Sequence, residues 1–129
     1  MILYCCGCKE DVDAKLVDGS VIYPHRPDLH SLPFWTCSTC NNYVGCHYKT
    51  RGRTTPLGSI PTPKIRAARS KIHGVLDPIW KSKKMSRTEV YNKVSKALGV
   101  THFHTADVNS VKQANNVITV VKEINNAIL

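Results

Sequence analysis

The sequence predicts an α+β fold, with short antiparallel strands at the N-terminal end followed by a small bundle of about three helices. Two Cys-x2-Cys pairs lie among short apolar segments in residues 1–48. Gly and Pro, which interrupt regular structure, then recur through residues 49–63. Apolar residues follow at helical spacing in residues 64–129. We therefore predict a folded domain at 1–48, a basic linker at 49–63 and a helical region at 64–129.

Alternation and turn residues predict the strands of the first part. Residues 2–4 lead into the first cysteine pair, and residues 12–17 alternate between apolar and polar types. Asp18-Gly19 is typical of a hairpin turn, which makes residues 21–23 the expected return strand. Two further short strands are expected on either side of the second cysteine pair, at residues 34–36 and 43–44.

The first helix is predicted to begin at Thr62, an N-cap residue followed by Pro63 at the first helical position. Its apolar stripe consists of Ile65, Ala68, Ile72, Val75, Leu76 and Ile79. Pro78 interrupts this pattern and allows two outcomes. The helix breaks there, or it continues because Gly74, four residues earlier, leaves space for the proline ring.

Two more helices are expected after residue 85. Ser86 and Glu89 form a capping box, and Gly99 follows the helix that the box opens. Thr105 or Asp107 is predicted to cap the last helix. Its inward residues are expected to be Val111, Ala114, Ile118, Val121 and Ile128. Val117, Val120 and Ile124 lie on a second apolar face, which suggests a homodimer formed through this helix.

The cysteine pairs have the spacing of a metal site. Cys5 and Cys8 form one pair, Cys37 and Cys40 the other, with 28 residues between them. Two such turns aim four thiolates at one tetrahedral zinc ion, with Zn–S distances of about 2.3 Å. Four cysteine ligands leave no open position for water, which catalytic zinc requires. The prediction is one structural Zn²⁺ in a four-cysteine zinc ribbon.

The alternatives for the cysteines are disulfides or buried free thiols. Neither a secretory signal nor a membrane-length apolar run is found, so we expect the cytoplasm, where thiols stay reduced. Cys6 is a poor ligand because its gap to Cys8 is one residue, and Cys46 is expected to pack as a small apolar side chain. His47 lies beyond an already complete ligand set.

These features resemble a family of small, uncharacterised zinc-finger-containing proteins encoded by phages, prophages and bacteria. The resemblance covers roughly residues 1–104. Its motifs are Cys5-x2-Cys8, Leu16-Val17-Asp18-Gly19-Ser20 with Ile22-Tyr23, Phe34-Trp35-Thr36-Cys37-x2-Cys40, Tyr43-Val44-Gly45-Cys46-His47, Pro56-Leu57-Gly58, Arg69 with His73, Asp77-Pro78-x-Trp80 and Ser86-Arg87-Thr88-Glu89-Val90-Tyr91. The extra Cys6 and the Asn-rich tail depart from the pattern. The resemblance implies zinc and a phage or bacterial setting, and it implies no activity.

Positive charge is concentrated in the middle of the chain. The formal net charge is +9, and residues 49–96 alone carry thirteen Lys/Arg against two Asp/Glu. Residues 1–48 carry three Lys/Arg and five Asp/Glu. Such a block favours a polyanionic partner, DNA or RNA, over a solvated basic surface. The residues expected to contact phosphates are Lys49, Arg51, Arg53, Lys64, Arg66, Arg69, Lys71, Lys81, Lys83 and Lys84. Tyr48 or Trp35 is a candidate for stacking on a base.

Two other functions compete with nucleic-acid binding. A phage-encoded interaction factor would bind and modulate a host enzyme or a defence complex. A phosphodiester-cleaving enzyme would use His47, His73 and Asp77, with Arg69 stabilising the developing charge. His73 and Asp77 are one helical turn apart and can touch. No nuclease motif is recognised, and we expect no enzymatic activity.

Each of these residues also has a plain structural interpretation. In this interpretation, hydrogen bonds and an ion pair of Arg69, His73 and Asp77 connect the first helix to the ribbon, and Trp80 lies in the core. A solvated turn between helices would contain Lys81, Lys83 and Lys84. His102 and His104 alternate as on a strand, and we assign them no metal.

Overall fold

A computed structural model describes residues 1–127. The chain forms two compact units, Met1–Pro63 and Lys64–Leu129, called here the ribbon unit and the helical unit. Ile128, predicted to point inward from the last helix, lies outside the described residues. Short antiparallel strands followed by helices confirm the predicted α+β class. Within residues 1–127, no helix combines the length and apolar character needed to cross a bilayer.

Five short strands build the ribbon unit. They are β1 (Ile2–Cys5), β2 (Glu10–Asp13), β3 (Lys15–Asp18), β4 (Pro33–Thr36) and β5 (Tyr43–Gly45). β1 pairs with β2, and a second sheet has the order β3-β4-β5, with every pairing antiparallel. The strands predicted at 34–36 and 43–44 are present, and they flank the second cysteine pair.

The predicted hairpin at Asp18-Gly19 is wrong. Residues 12–17 divide between β2 and β3 at the buried Ala14, and the partner of β3 is β4. Asp18 instead caps a short helix α1 (Gly19–Ile22), because its carboxylate accepts a hydrogen bond from the Ser20 N–H at 2.9 Å. Residues 21–23 therefore form no return strand. A Cβ on Gly19 would lie 1.7 Å from the Leu29 carbonyl oxygen, so only glycine fits this approach.

Much of the segment predicted as a linker is packed into the ribbon unit. Its residue Ile60 is completely buried. The Ile60 N–H donates to the Tyr4 carbonyl, and the Ile60 carbonyl accepts from the Cys6 N–H, both at 2.8 Å. Pro56 forms an isolated β-bridge with Cys46. Residues 56–61 thus contribute hydrogen bonds beside the first cysteine pair, and Ile60 joins the apolar core that contains Cys5 and Cys37.

Three long helices form the helical unit: α2 (Pro63–Lys81), α3 (Arg87–Leu98) and α4 (Val111–Ala127). A 3₁₀ turn, Thr105–Asp107, precedes α4. Their apolar faces enclose a core of Ala68, Ile72, Leu76, Ile79, Met85, Val90, Val94, Phe103, Val108, Ala114, Val117 and Val121. The stripe predicted for the first helix supplies four of these residues, which accounts for the helical spacing of that segment.

Local sequence signals fix the helix ends. α2 continues through Pro78, the second of the two outcomes considered for it. Ser86 caps α3, accepting the Glu89 N–H at 3.1 Å and donating to the Glu89 carboxylate at 3.2 Å. Gly99 ends α3 with φ of 71°, a left-handed conformation that suits glycine. Ser86 is therefore confirmed as the N-cap of α3, and the Glu89 carboxylate contacts the Ser86 hydroxyl.

The predicted start of the last helix is wrong. Ser110, rather than Thr105 or Asp107, accepts the Gln113 N–H at 3.1 Å and caps α4. Val111 is 42% exposed rather than inward, because the helix begins at that residue. Val117 is 1% exposed and lies in the core, so the second apolar face predicted for a homodimer is largely used within the helical unit.

Candidate metal centre and basic surface

The four cysteines predicted as ligands come together in the ribbon unit. The sulfur atoms of Cys5, Cys8, Cys37 and Cys40 all lie within 4.8 Å of one another. The Cys5–Cys40 distance is 3.3 Å and the Cys8–Cys37 distance is 3.7 Å. A tetrahedral Zn–S distance near 2.3 Å places sulfurs about 3.8 Å apart. The cluster therefore fits one zinc ion.

The two cysteine turns have the same backbone geometry. The Lys9 N–H donates to the Cys5 carbonyl and the Asn41 N–H donates to the Cys37 carbonyl, each at 2.8 Å. Lys9 and Asn41 directly follow the second cysteine of their pairs, with φ of 57° and 61°. Both turns therefore close through a left-handed residue, which brings the two sulfurs of each pair to one side.

Gly7 lies close to the second cysteine turn. Among the described residues, Gly99 is the glycine with positive φ, so Gly7 does not have the left-handed conformation. A Cβ added at Gly7 would lie 2.7 Å from the Asn42 Nδ2 atom and 3.4 Å from the Cys40 sulfur. The first turn thus packs closely against the second one.

Hydrogen bonds make the four thiols unequal. Burial raises the pKa of Cys37, but the backbone N–H groups of Cys40 and Thr39 outweigh it and lower this pKa to about 7. A hydrogen bond to Cys37 is the main cause that raises the pKa of Cys8 to about 12. The cluster therefore favours ionisation at Cys37 first, and zinc binding must release the remaining thiol protons.

The surplus cysteines stay outside the cluster. Cys6 is 6% exposed, with its sulfur 3.7 Å from the Ser59 hydroxyl. Cys46 is 4% exposed, and burial raises the pKa of its thiol. The six cysteines form no disulfide bonds within residues 1–127. With four cysteine ligands the coordination of zinc is complete, so the ion stabilises the ribbon unit and offers no open position for chemistry.

Comparison with protein families agrees with this donor set. The family model of a zinc-finger-containing domain, DUF3268, matches residues 1–124. The chain belongs to this family. The match runs beyond the cysteine cluster and through α2 and α3 into α4, so the family domain contains the helices as well as the ribbon. No curated protein and no solved structure matches the chain significantly.

The predicted phosphate contacts of the ribbon unit lie in an exposed loop. Lys49, Arg51 and Arg53 are all exposed. The Arg53 guanidinium donates to the carbonyls of Ser31 at 2.9 Å and Tyr48 at 3.4 Å, so it braces the loop. The Trp35 indole N–H donates to the Thr54 carbonyl at 2.6 Å, which holds Trp35 against the same loop. Tyr48 is 38% exposed, with the Lys49 ammonium 5.7 Å from its ring centre.

Arg69, His73 and Asp77 make contacts within the helical unit. Arg69 Nε donates to the Val108 carbonyl at 2.9 Å, which ties α2 to the segment before α4. His73 Nδ1 lies 3.4 Å from the Asp77 carboxylate. Trp80 is half-buried, and its indole N–H donates to the same carboxylate at 3.2 Å. His47 belongs to the ribbon unit, and a phosphodiester-cleaving role for these residues stays a prediction.

Sequence reasoning missed Arg87. Its guanidinium lies 4.6 Å from the ring centre of Tyr91 and 6.0 Å from that of Trp80. Lys81 lies 5.6 Å from the Trp80 ring on the same helix. Arg87 and Tyr91 are four residues apart on a predicted helix, and this spacing places their side chains next to each other. That spacing is the signal that could have identified Arg87.

Proposed function

We propose that the protein binds nucleic acid and that the helical unit supplies most of the phosphate contacts. The observation that carries this proposal is the division of charge between the units. The helical unit has twelve Lys/Arg and four Asp/Glu, whereas the ribbon unit has six and five. Their net charges are therefore +8 and +1 before metal binding. Repulsion of this size on a small unit destabilises it, which favours a role in binding a polyanion.

The cations of the helical unit are placed to meet solvent. Ten of them are exposed: Lys64, Lys71, Lys81, Lys83, Lys84, Arg87, Lys93, Lys96, Lys112 and Lys122. Within residues 1–127, none of these ten forms an ion pair. Their charge is thus not used in ion pairs, while Arg87 and Lys81 lie over aromatic rings. Phosphate contacts would release condensed counterions, and each contact would add about 0.9 to the slope of log affinity against log salt.

The test is fluorescence anisotropy of labelled single- and double-stranded DNA and RNA, titrated with zinc-loaded protein at several salt concentrations. Tight binding with a steep negative salt slope is expected. Lys84→Glu should weaken the affinity. It should also reduce the magnitude of the salt slope by about 0.9 or more, the contribution of one phosphate contact. Lys15→Glu, the same charge reversal at an exposed lysine of the ribbon unit, is the control and should have a smaller effect. Arg51→Glu measures the contribution of the loop at 49–55.

Two results would contradict this proposal. One is the absence of binding to every probe even at low salt. The other is equal loss of affinity in Lys84→Glu and Lys15→Glu, which would indicate a response to net charge alone. A host protein captured in a pull-down that survives nuclease treatment would instead support the interaction factor, which stays a prediction.

We infer a phage or bacterial origin from the sequence resemblance, and the cytoplasm of a bacterial host as the location. Six cysteines without a disulfide bond suit a reducing compartment. The zinc site is saturated by four cysteines, so we propose a binding protein rather than an enzyme.

A further inference from the structure

Two adjoining cavities in the helical unit share the lining residues His102, Phe103 and His104. The first has a volume of about 190 Å³ and is formed with one face of α3. The second has a volume of about 230 Å³ and is formed with the end of α3 and the start of α4. The sequence pointed to His102 and His104 only as an alternating pair, and the zinc site does not use them.

The first cavity is lined by one arginine and several hydrogen-bond donors. Its polar residues are Arg87, Thr88, Asn92, Ser95, His102 and His104, with Tyr91 and Phe103. Within the described chain, the residues lining this cavity include no Asp or Glu. Arginine forms paired hydrogen bonds to phosphate oxygens, and the imidazoles, the Thr88 hydroxyl and the Asn92 amide add further donors. The lining therefore matches an anion of the phosphate type.

Buried contacts hold the wall of this cavity in place. Tyr91 stacks on Phe103 with ring centres 6.2 Å apart, and the Arg87 guanidinium lies over the Tyr91 ring. The buried Ser95 hydroxyl accepts the Phe103 N–H at 2.9 Å and donates to the Tyr91 carbonyl at 2.7 Å. These bonds link α3 to residues 102–104. Arg87 is thus partly positioned before any ligand arrives, which lowers the entropic cost of binding.

The second cavity suits a flat ring with polar edges. Leu98, Val100 and Val117 give it apolar walls, while Asp107, Gln113 and Asn116 add a carboxylate and two amides. Its volume lies below the roughly 300–1,000 Å³ of drug-sized pockets, so it holds one small ring system. Amides and carboxylates read the donors and acceptors on the edge of a base. A nucleobase combines these properties.

We propose that the two cavities together bind one nucleotide, with the phosphate at Arg87, His102 and His104 and the base beside Asn116. This inference rests on the proposed nucleic-acid binding and deepens it. A base within a duplex is stacked and paired, so a pocket of this kind selects an unpaired nucleotide. The ligand is either a unit of a single strand or a free nucleoside 5′-monophosphate, which share the same chemistry.

The experiment titrates the full-length, zinc-loaded protein with each nucleoside 5′-monophosphate by calorimetry, and with a labelled single-stranded oligonucleotide by anisotropy. Arg87→Gln should weaken mononucleotide binding by about tenfold, the loss expected for a charge-assisted hydrogen bond. Asn116→Ala should change the preference among bases. Arg87→Lys keeps the charge but loses the planar fork, and an intermediate loss is expected.

Matched controls lie away from both cavities. Lys15→Gln removes an exposed charge from the ribbon unit, and Asn115→Ala removes an exposed amide from α4, and neither residue lines either cavity. Both variants should bind mononucleotides like the wild type. Thermal unfolding and zinc content verify that each variant is folded.

The outcomes separate the pocket from the general function. If the protein binds the oligonucleotide but Arg87→Gln and Asn116→Ala have the same affinities as their controls, the proposed nucleotide pocket is wrong. The proposal of nucleic-acid binding then still stands. Mononucleotide binding without any polynucleotide binding supports the pocket and overturns the proposed function. Inorganic phosphate that binds as tightly as the nucleotide overturns the placement of the base.

Discussion

The ribbon unit and the helical unit are similar in length but differ in what holds them together. Among the described residues, the core of the ribbon unit contains Cys5, Ala14, Cys37, Val44 and Ile60, and two of these are metal ligands. The helical unit has a core of twelve residues, nine of them from its three helices and three from the segments between the helices. Small cores need a metal or another cross-link, whereas a core of packed helices does not. The zinc site therefore stabilises the unit that has the smaller apolar core.

Charge follows the same division. The unit that depends on zinc is close to neutral, and the unit with its own apolar core carries a net charge of +8. The comparison predicts that the ribbon unit depends on zinc and the helical unit on its apolar core, and three substitutions test it.

Loss of the metal should have the largest effect, confined to the ribbon unit. We expect Cys37→Ser, or chelation of zinc, to unfold residues 1–63 while the helical circular dichroism signal remains. Structural zinc contributes on the order of 10 kcal/mol in small zinc domains. Zinc content by atomic absorption and amide spectra by NMR measure this. A one-to-one zinc ratio in Cys37→Ser would contradict the ligand assignment, and simultaneous loss of the helices would contradict the division.

A cavity in the helical core should give the second largest effect, confined to the other unit. Leu76 is completely buried in α2. Leu76→Ala should lower the free energy of unfolding of the helical unit by about 2–5 kcal/mol. Thermal unfolding followed at a helical wavelength, with zinc content measured in parallel, checks this. Zinc content should stay unchanged, and a loss of zinc in this variant would show that the two units do not unfold separately.

The smallest effect is expected at the left-handed residue of the first cysteine turn. Lys9 has φ of 57°, a conformation that costs a residue with a side chain about 1 kcal/mol relative to glycine. Lys9→Gly should therefore stabilise the zinc-loaded ribbon unit by a few tenths of a kcal/mol to about 1 kcal/mol. Lys15→Gly, in the extended strand β3, is the control and should be destabilising. Equal destabilisation by both changes would exclude the left-handed turn at Lys9.

Features that depend on short stretches of chain could be predicted well. The two-residue gaps within the cysteine pairs identified the four ligands, and the Ser86 capping box placed the start of α3. The apolar stripe from Ile65 to Ile79 predicted a helix with a buried face. Each of these signals acts over one or two turns of backbone, so the local sequence contains the information.

Predictions failed where a distant residue decided the outcome. The residue types of Asp18-Gly19 are typical of a hairpin turn, but these residues begin a short helix that Asp18 caps. Gly19 is required there because the Leu29 carbonyl lies close to it. Val117 was predicted to lie on a second apolar face, but it is buried in the core. The residues of α4 alone do not determine which of its apolar faces packs against the other helices.

The sequence by itself determined the zinc ligands, the helical character of the second half and the concentration of positive charge, because spacing, period and composition are properties of the chain. Only the tertiary structure decided the rest. In the structure, residues 56–61 pack into the ribbon unit through Ile60. Arg87, His102 and His104 lie together around one cavity. Those arrangements depend on contacts between residues far apart in sequence, such as the stacking of Tyr91 on Phe103.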